Sequence, residues 1–388
     1  MEDDILVKKI NVGLIGYKFM GKAHSHAFKD MSMFFDASAQ PVMKAICGRN
    51  EEAVKDAAER WGWESYETSW QRIIERDDID LVDICTGNDS HRDIAIAAAQ
   101  AGKDILLEKP MAPTLAEARE MLDAVEKAGV KHMINFNYRR CPAIQLAKRL
   151  IGEGFVGKIY HVRAVYLQSW IMDPDFPLVW RLKKESAGSG ALGDIGAHII
   201  DLARFLVGEF SEVNGFLTTF IKERPILIET TGDLSAKGSQ EKGEVTVDDA
   251  ALFLARFANG AVGTFEATRF ANGRKNHEKI EINGSKGSIV FNFERMNELE
   301  VFSSEDPDYA QGFKTILVTE EVHPYIKAWW PPGHIIGYEH TFVNQVYELM
   351  EALANDRMPE PNFVDGVRCQ EVLDAVERSS DTGTWIKI

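Results

Sequence analysis

The sequence predicts an α/β Rossmann domain with a parallel, doubly wound sheet over residues 1–136, followed by an α+β domain with a mostly antiparallel open sheet over 137–388. Three observations predict this. Short apolar runs alternate with helix-compatible segments through the first third of the chain. The first run empties into a glycine turn, with Gly16 and Gly21 as its ends. From Pro142 the alternation stops, and strand-like runs separated by Asn259-Gly260 and Asn283-Gly284 take its place.

Ile10-Asn11-Val12-Gly13-Leu14-Ile15 reads as a buried parallel strand, and Lys22 to Lys29 as the helix after the turn. The first glycine allows a tight turn and the last lets helix pack closely on strand. A pyrophosphate would then sit on the unpaired N–H groups of the helix N-terminus, with Gly16, Lys18, Phe19 and Met20 around it. Lys18 replaces the middle glycine of the usual fingerprint, so its ammonium or its own N–H is expected to meet cofactor phosphate or ribose. Pro41–Cys47 is the next strand and Glu51–Arg60 a helix with Asn50 as N-cap. Where an acidic residue would hold the adenosine ribose, Gly48 and Arg49 stand. Arg49 can accept a 2′-phosphate, which leans toward NADP, or stack on adenine, which suits either cofactor. NAD versus NADP stays open.

A helix over Ser69–Arg76 leads to the strand Ile79–Cys85, which stops at Thr86-Gly87-Asn88-Asp89-Ser90-His91. The helix Arg92–Ala101 precedes the strand Asp104–Leu107, which runs into Glu108-Lys109-Pro110. Thr114–Ala128 is a further helix, and Lys131–Phe136 the sixth strand of the unit. Turns at the carboxyl ends of such strands are where a doubly wound sheet takes ligand.

In the second half, the helix Ala143–Ile151 and the strand Lys158–Gln168 lead to an aromatic, proline-containing loop, Ser169–Arg181. A glycine-rich turn, Gly188 to Asp194, then opens a helix to about Val207. Strands are expected at 213–220, 250–257, 261–269, 278–282, 288–293 and 299–302, and helices at 338–355 and 365–379. Glu229–Val245, poor in apolar residues, reads as a mobile surface loop.

The chain has 388 residues, and 60 acids against 44 bases give a net charge of −16, which argues against nucleic acid or an anionic membrane as partner. Cys47, Cys85, Cys141 and Cys369 show no ligand spacing and read as reduced core thiols. No apolar run approaches the ~20 residues of a membrane span, and the N-terminus lacks a secretory apolar region. A cytoplasmic protein is expected. His24 and His26 form an H-x-H with no carboxylate or cysteine at ligand spacing, so no metal is expected.

Gly16-x-x-x-x-Gly21, the Thr86–His91 turn, Glu108-Lys109-Pro110 and Asn135-Phe136-Asn137-Tyr138-Arg139-Arg140 together resemble the Gfo/Idh/MocA oxidoreductases. The resemblance covers nearly the whole chain. It is closest to a branch of sugar 3-dehydrogenases in Met33-Phe34-Phe35, Trp170…Asp173-Pro174…Pro177-Leu178…Trp180-Arg181, Gly188–Asp194, Asp248-Asp249, Glu266–Arg269 and His323-Pro324-Tyr325. It implies NAD(P)-dependent hydride transfer to or from a ring secondary hydroxyl of a sugar, anhydrosugar, glycoside or cyclitol. The branch implies C3 of glucose, levoglucosan or a related glycoside; the mostly antiparallel C-terminal sheet, one face of which often pairs with another subunit, points to a homodimer or homotetramer.

Oxidation of a secondary alcohol needs a base for the hydroxyl proton and nearby charge to bias it. Lys109 stands at a strand end, and Asp194 and His198 are four apart at the start of a helix, on one face of it. They match the family's Lys plus Asp-x-x-x-His pattern. By resemblance His198 accepts the proton, Lys109 hydrogen-bonds the reacting oxygen, and Asp194 binds an adjacent hydroxyl or orients the base. The bland alternatives are a structural lysine before a turn proline, a helix N-cap and a core histidine. Thr86, Asn88, His91, Glu108 and Asn137 are expected at the cofactor; Trp170, Arg181 and Tyr338 at nicotinamide or sugar; Tyr138 and Arg139 at substrate hydroxyls. Two other functions compete: an NAD-dependent glycoside-cleaving enzyme using transient C3 oxidation, and a non-catalytic NAD(P)-sensing regulator, which would be expected to lose the Lys/Asp/His set.

Overall fold

Aliphatic runs too short for helices and buried on both faces make the strands of the first half, and the helices between them cover those faces. The computed structural model describes residues 7–230 and 236–388. In order come β1 (Lys8–Ile15), α1 (Phe19–Phe34), β2 (Ala39–Cys47), α2 (Glu51–Trp61), β3 (Ser65–Glu67) and α3 (Trp70–Glu75). Then follow β4 (Leu81–Ile84), α4 (Asn88–Gln100), β5 (Asp104–Leu107), α5 (Leu115–Ala128) and β6 (His132–Ile134). After them run α6 (Pro142–Gly152), β7 (Ile159–Leu167), a single turn α7 (Lys184–Ala187), α8 (Ala197–Leu206), β8 (Phe210–Thr218), β9 (Glu223–Thr230), β10 (Ala236–Glu244), β11 (Ala250–Phe257) and β12 (Val262–Thr268). β13 (His277–Gly284), β14 (Gly287–Asn292), β15 (Glu298–Ser303), β16 (Lys314–Leu317), α9 (Tyr338–Ala354), α10 (Phe363–Thr382) and β17 (Ile386–Lys387) complete the chain.

Two units result, Met1–Asn137 with Tyr338–Val367, and Tyr138–Gly337 with Arg368–Ile388. In the first, six parallel strands take the order β3-β2-β1-β4-β5-β6. The order reverses between β1 and β4, and the turns after β1, β4 and β5 lie at the carboxyl edge beside that reversal. Local signals set the helix ends: the Asn50 side chain accepts the Ala53 N–H at 3.0 Å, and Thr114 with Glu117 forms a capping box on α5. The half-buried strand β3 has only three residues, too few to show a period. α9 packs in this unit, with Tyr347 stacked on Phe35 at 4.4 Å, although the sequence reading places residues 338–355 in the second domain.

The second unit holds a nine-stranded sheet, β16-β15-β14-β13-β7-β12-β11-β8-β17. β7 and β12 pair in parallel and every other neighbour is antiparallel. β11 alternates buried and exposed residues, so one face makes the core, where Phe253 and Phe265 stack at 4.6 Å. The expected loop at 229–245 is corrected: β9 and β10 pair as an antiparallel ribbon, while residues 231–235 of that stretch, like the N-terminal 1–6, lie outside the described residues. The side chains of β10 are half-buried or exposed throughout, so a polar strand carries no alternation to read. The ribbon's Arg224 is fully buried and donates to the carbonyls of Ile171 at 2.5 Å and Asp173 at 2.7 Å, anchoring the aromatic loop.

Candidate functional site

In the first unit the glycine turn is built by close approach. Gly16 has φ +111°, and a Cβ there would lie 2.6 Å from the Cys85 carbonyl oxygen. A Cβ on Gly21 would lie 1.8 Å from the Gly16 oxygen, so α1 can reach the strand only with glycine there. Lys18 is the N-cap of α1, with φ −84°, a value any residue adopts, so the backbone there is unstrained without glycine. The Lys18 side chain is exposed, and the N–H groups of Phe19, Met20 and Gly21 open the helix, the arrangement that binds phosphate. Phe19 stacks on Tyr338 at 6.4 Å. A Cβ on Gly48 would fall 2.1 Å from the Tyr17 ring, which therefore covers the place where a ribose-binding acid would stand, with Arg49 exposed beside it. Replacing Gly21 by Ala is expected to weaken NADH binding at least tenfold by fluorescence titration, about 1.4 kcal/mol, within the usual range for overpacking.

Thr86 accepts from Ser90 Oγ at 2.7 Å, and Asn88 begins α4 almost buried. The fully buried His91 ring lies 3.2 Å from both the Pro110 and Met111 carbonyl oxygens and 3.3 Å from that of Thr86. Burial lowers its pKa, so the neutral ring braces the turns after β4 and β5 against each other. Glu108 is likewise turned inward. Its Oε1 lies 2.9 Å from His24 Nε2 and accepts from Asn135 at 2.5 Å, and its Oε2 accepts the Lys109 N–H at 3.1 Å. His24 Nδ1 meets Asp83 at 2.8 Å. The Lys109 side chain is half-buried, next to a cis bond to Pro110, and Asn137 donates to Thr341 Oγ1 at 2.8 Å. His26 pairs with Asp30 on the exposed side of α1, so the two rings of the H-x-H do not converge; His24 instead groups with Asp83 and Cys85, three donor atoms within 4.8 Å of one another and already linked by hydrogen bonds.

In the second unit Asp248 builds the glycine-rich turn. Its carboxylate accepts from Gly190 N at 2.7 Å and Leu192 N at 2.9 Å, and its carbonyl from Ala191 N at 3.1 Å. A Cβ on Gly190 would lie 1.7 Å from that carbonyl oxygen. A π-helical turn, Leu192–Gly196, follows and passes into α8, so Asp194 sits inside a helical turn and is no N-cap. Its side chain is about a quarter exposed, with Arg269 Nη1 at 3.6 Å from Oδ2. The nearly buried His198 ring stacks on Tyr138 at 4.4 Å and 30°. The Tyr138 hydroxyl meets that of Tyr166 at 2.9 Å, which donates to Asn276 at 2.7 Å, and burial holds the Tyr138 pKa well above the usual phenol value. Arg139, expected at substrate hydroxyls, is buried in a two-point pair with Asp201 at 2.6 and 2.8 Å, its guanidinium over Phe205. Trp170 meets Phe176 edge-on at 5.3 Å, and the Arg181 guanidinium lies 4.5 Å over Trp180.

Residues 10–136 match the oxidoreductase family model described as an NAD-binding Rossmann fold, and 144–290 match the GFO/IDH/MocA C-terminal domain. The levoglucosan dehydrogenase of Pseudarthrobacter phenanthrenivorans is 47% identical over 98% of this chain and 99% of its own. The chain belongs to the Gfo/Idh/MocA family. Like other members it is an oxidoreductase, with a Rossmann fold for NAD followed by a mixed, mostly antiparallel sheet domain. Among solved Gfo/Idh/MocA-type structures, an oxidoreductase domain protein from Kribbella flavida is 53% identical, with TM-score 0.93 over 98% of this chain and 99% of that one. A levoglucosan dehydrogenase in complex with NADH and levoglucosan is 47% identical with the same TM-score and coverage.

The roles of two groups of residues escaped the sequence reading. Asp83 carries a charge in the run Leu81-Val82-Asp83-Ile84, buried on both faces, and such a charge requires a partner; that signal was available, and His24 answers it. Asp248 and Arg269 stand in stretches that carry the family resemblance, which gave neither of them a role in the site.

Proposed function

We propose that this oxidoreductase moves hydride between NAD(P) and the C3 hydroxyl of a sugar ring, with levoglucosan and related anhydrosugars or glycosides as the first substrates to test and cyclitols as further ones. The carrying observation is the 47% identity to a levoglucosan dehydrogenase along the full length of both chains. Nicotinamide, when bound, exchanges the hydride. Lys109 hydrogen-bonds the reacting oxygen and lowers the energy of its alkoxide character; His198 takes the hydroxyl proton; Asp194 binds a neighbouring hydroxyl or orients the ring of His198. The neutral Tyr138 face against His198 supports that reading, because it holds the imidazole in one plane without competing for its proton. The helix N-terminus at Phe19–Gly21 would hold the pyrophosphate, with Lys18 beside it.

The same proposal makes residues 1–136 the cofactor domain and 137–388 the substrate and oligomerisation domain. Exposed Phe216 and Leu252 are cross-strand neighbours on the outer sheet face, with Leu254 and Val262 on adjoining positions, an apolar patch that suits a second copy of this chain. No helix among the described residues is long and apolar enough to cross a membrane, and the four cysteines are free, which supports a reduced, cytoplasmic setting.

The test is a screen of levoglucosan, glucose, glycosides and inositols with NAD⁺ and NADP⁺ side by side, read by absorbance of the reduced cofactor. Oxidation of at least one glucose-configured ring, with reduced cofactor formed in step with sugar consumed, is expected. No turnover of any glucose-configured ring sinks the substrate reading. Aglycone release without accumulating reduced cofactor marks a glycoside-cleaving enzyme. Activity with both cofactors is expected from Gly48 and Arg49.

A further inference from the structure

The arginine that follows β12, Arg269, is fully buried, yet it is incompletely paired. Its Nη2 donates to the Asp248 carbonyl at 3.2 Å, while Nε and Nη1 have no hydrogen-bond partner among the described residues. A buried charge in that condition costs several kcal/mol and persists only where something in the fold holds it. The acid it faces is Asp194, at 3.6 Å between Nη1 and Oδ2, an ion pair just beyond hydrogen-bond length. The neighbouring acids are already engaged. Asp248 holds the Gly190 and Leu192 N–H groups, and Asp249 accepts from Phe220 N at 2.7 Å and Ile221 N at 3.2 Å through Oδ2, while its buried Oδ1 has no hydrogen-bond partner among the described residues and its charge acts on Arg269 without an ion-pair contact. The Trp170 ring lies 5.8 Å from the guanidinium, in the loop that Arg224 anchors through its carbonyls.

The asymmetry of exposure assigns the roles. Asp194 is about a quarter exposed and Arg269 not at all, so a sugar hydroxyl can meet the carboxylate from its open side while the guanidinium stands behind it. We propose that Arg269 is the positioning residue of the sugar site: it fixes the Asp194 carboxylate from the buried side and acts on substrate only through it. The Asp248 carbonyl ties Arg269 to the turn that carries Asp194, so side chain and turn are held by one network. This rests on the reading that Asp194 serves the sugar site.

A double-mutant cycle on the full-length protein tests it, using Arg269→Gln, Asp194→Asn and the pair, with kcat and sugar KM measured on the best sugar from the screen and NADH Kd measured by fluorescence. Arg269→Gln is expected to lower kcat/KM for the sugar about tenfold or more and to leave NADH Kd within about twofold; in the Asp194→Asn background it is expected to add less than about twofold. Arg269→Lys, which keeps the charge but not the fork, is expected to restore part of the loss. It also replaces Arg269→Gln in the cycle if the latter does not fold. An equal loss with and without Asp194 overturns the proposal, as does a change confined to the melting temperature. Wild-type activity in Asp194→Asn overturns the underlying reading of the site, and is distinguishable because it appears in the single variant.

Discussion

Lys109→Ala is expected to lower kcat on an accepted sugar about 10²–10⁴-fold, with NADH Kd changed by less than about threefold. His198→Ala is expected to lose activity on the same scale. The reason lies in how each residue is held. Lys109 leaves β5 with its backbone N–H on the buried Glu108 carboxylate, which His24 and Asn135 hold in turn. His198 is held by the Tyr138 face in a helix whose start is pinned by Asp248. Side chains positioned so firmly lose little entropy on reaching the reactive geometry, so deletion removes transition-state interactions more than ground-state binding. The signature is therefore a fall in kcat larger than any rise in sugar KM. Near-normal kcat in either variant means the acid–base assignment is wrong. Stopped-flow measurement of a single turnover with excess enzyme locates the loss in the hydride step rather than in product release.

How far the site could be read from sequence depended on how local each requirement is. Gly21 is demanded by the Gly16 carbonyl five residues back and Gly16 has a positive φ, and the strand before them is mostly apolar from Ile10 to Ile15, so the turn was legible. The departure at Lys18 looked like a defect until the backbone put it at an N-cap with an unstrained φ. The ribbon β9–β10 was hidden because β10 is polar and its side chains, half-buried or exposed throughout, carry no alternation. The charged pairs were hidden by distance along the chain: Arg139 meets Asp201 62 residues on, and His24 meets Asp83 and Glu108 59 and 84 residues on. Arg139 and His91 stand beside motifs, which suggests a ligand contact, and the structure adds the buried partners that hold them.

His24→Ala is expected to destabilise the protein by about 3–5 kcal/mol, measured by denaturant unfolding at pH 7. The loss comes from what remains: the Asp83 and Glu108 carboxylates, both buried, with no cation between them. In the native protein burial opposes charge on His24, but the Asp83 carboxylate at 2.8 Å outweighs it and holds the pKa well above the usual histidine value. Burial pushes the Glu108 carboxyl up, but hydrogen bonding and attraction from His24 outweigh that and hold it below the usual carboxylate range, so the ring is an imidazolium between two acids. Linkage gives the sign. A histidine with a raised folded-state pKa contributes stability fully below the unfolded value of about 6.5, and loses it as pH rises through the folded value. Wild type therefore falls toward the variant on the alkaline side. On the acid side Asp83, whose carboxyl burial pushes up, takes its proton early and relieves the uncompensated charge in the variant. The stability gap between wild type and His24→Ala is expected to be widest near neutral pH and to narrow in both directions. Adding Asp83→Asn to His24→Gln removes one charge from each side of the pair and is expected to restore part of the stability, since the greater cost is an unpaired buried charge rather than the missing pair. A gap that is flat with pH, or a double variant that loses the sum of the two singles, would falsify the charged-pair account of this network.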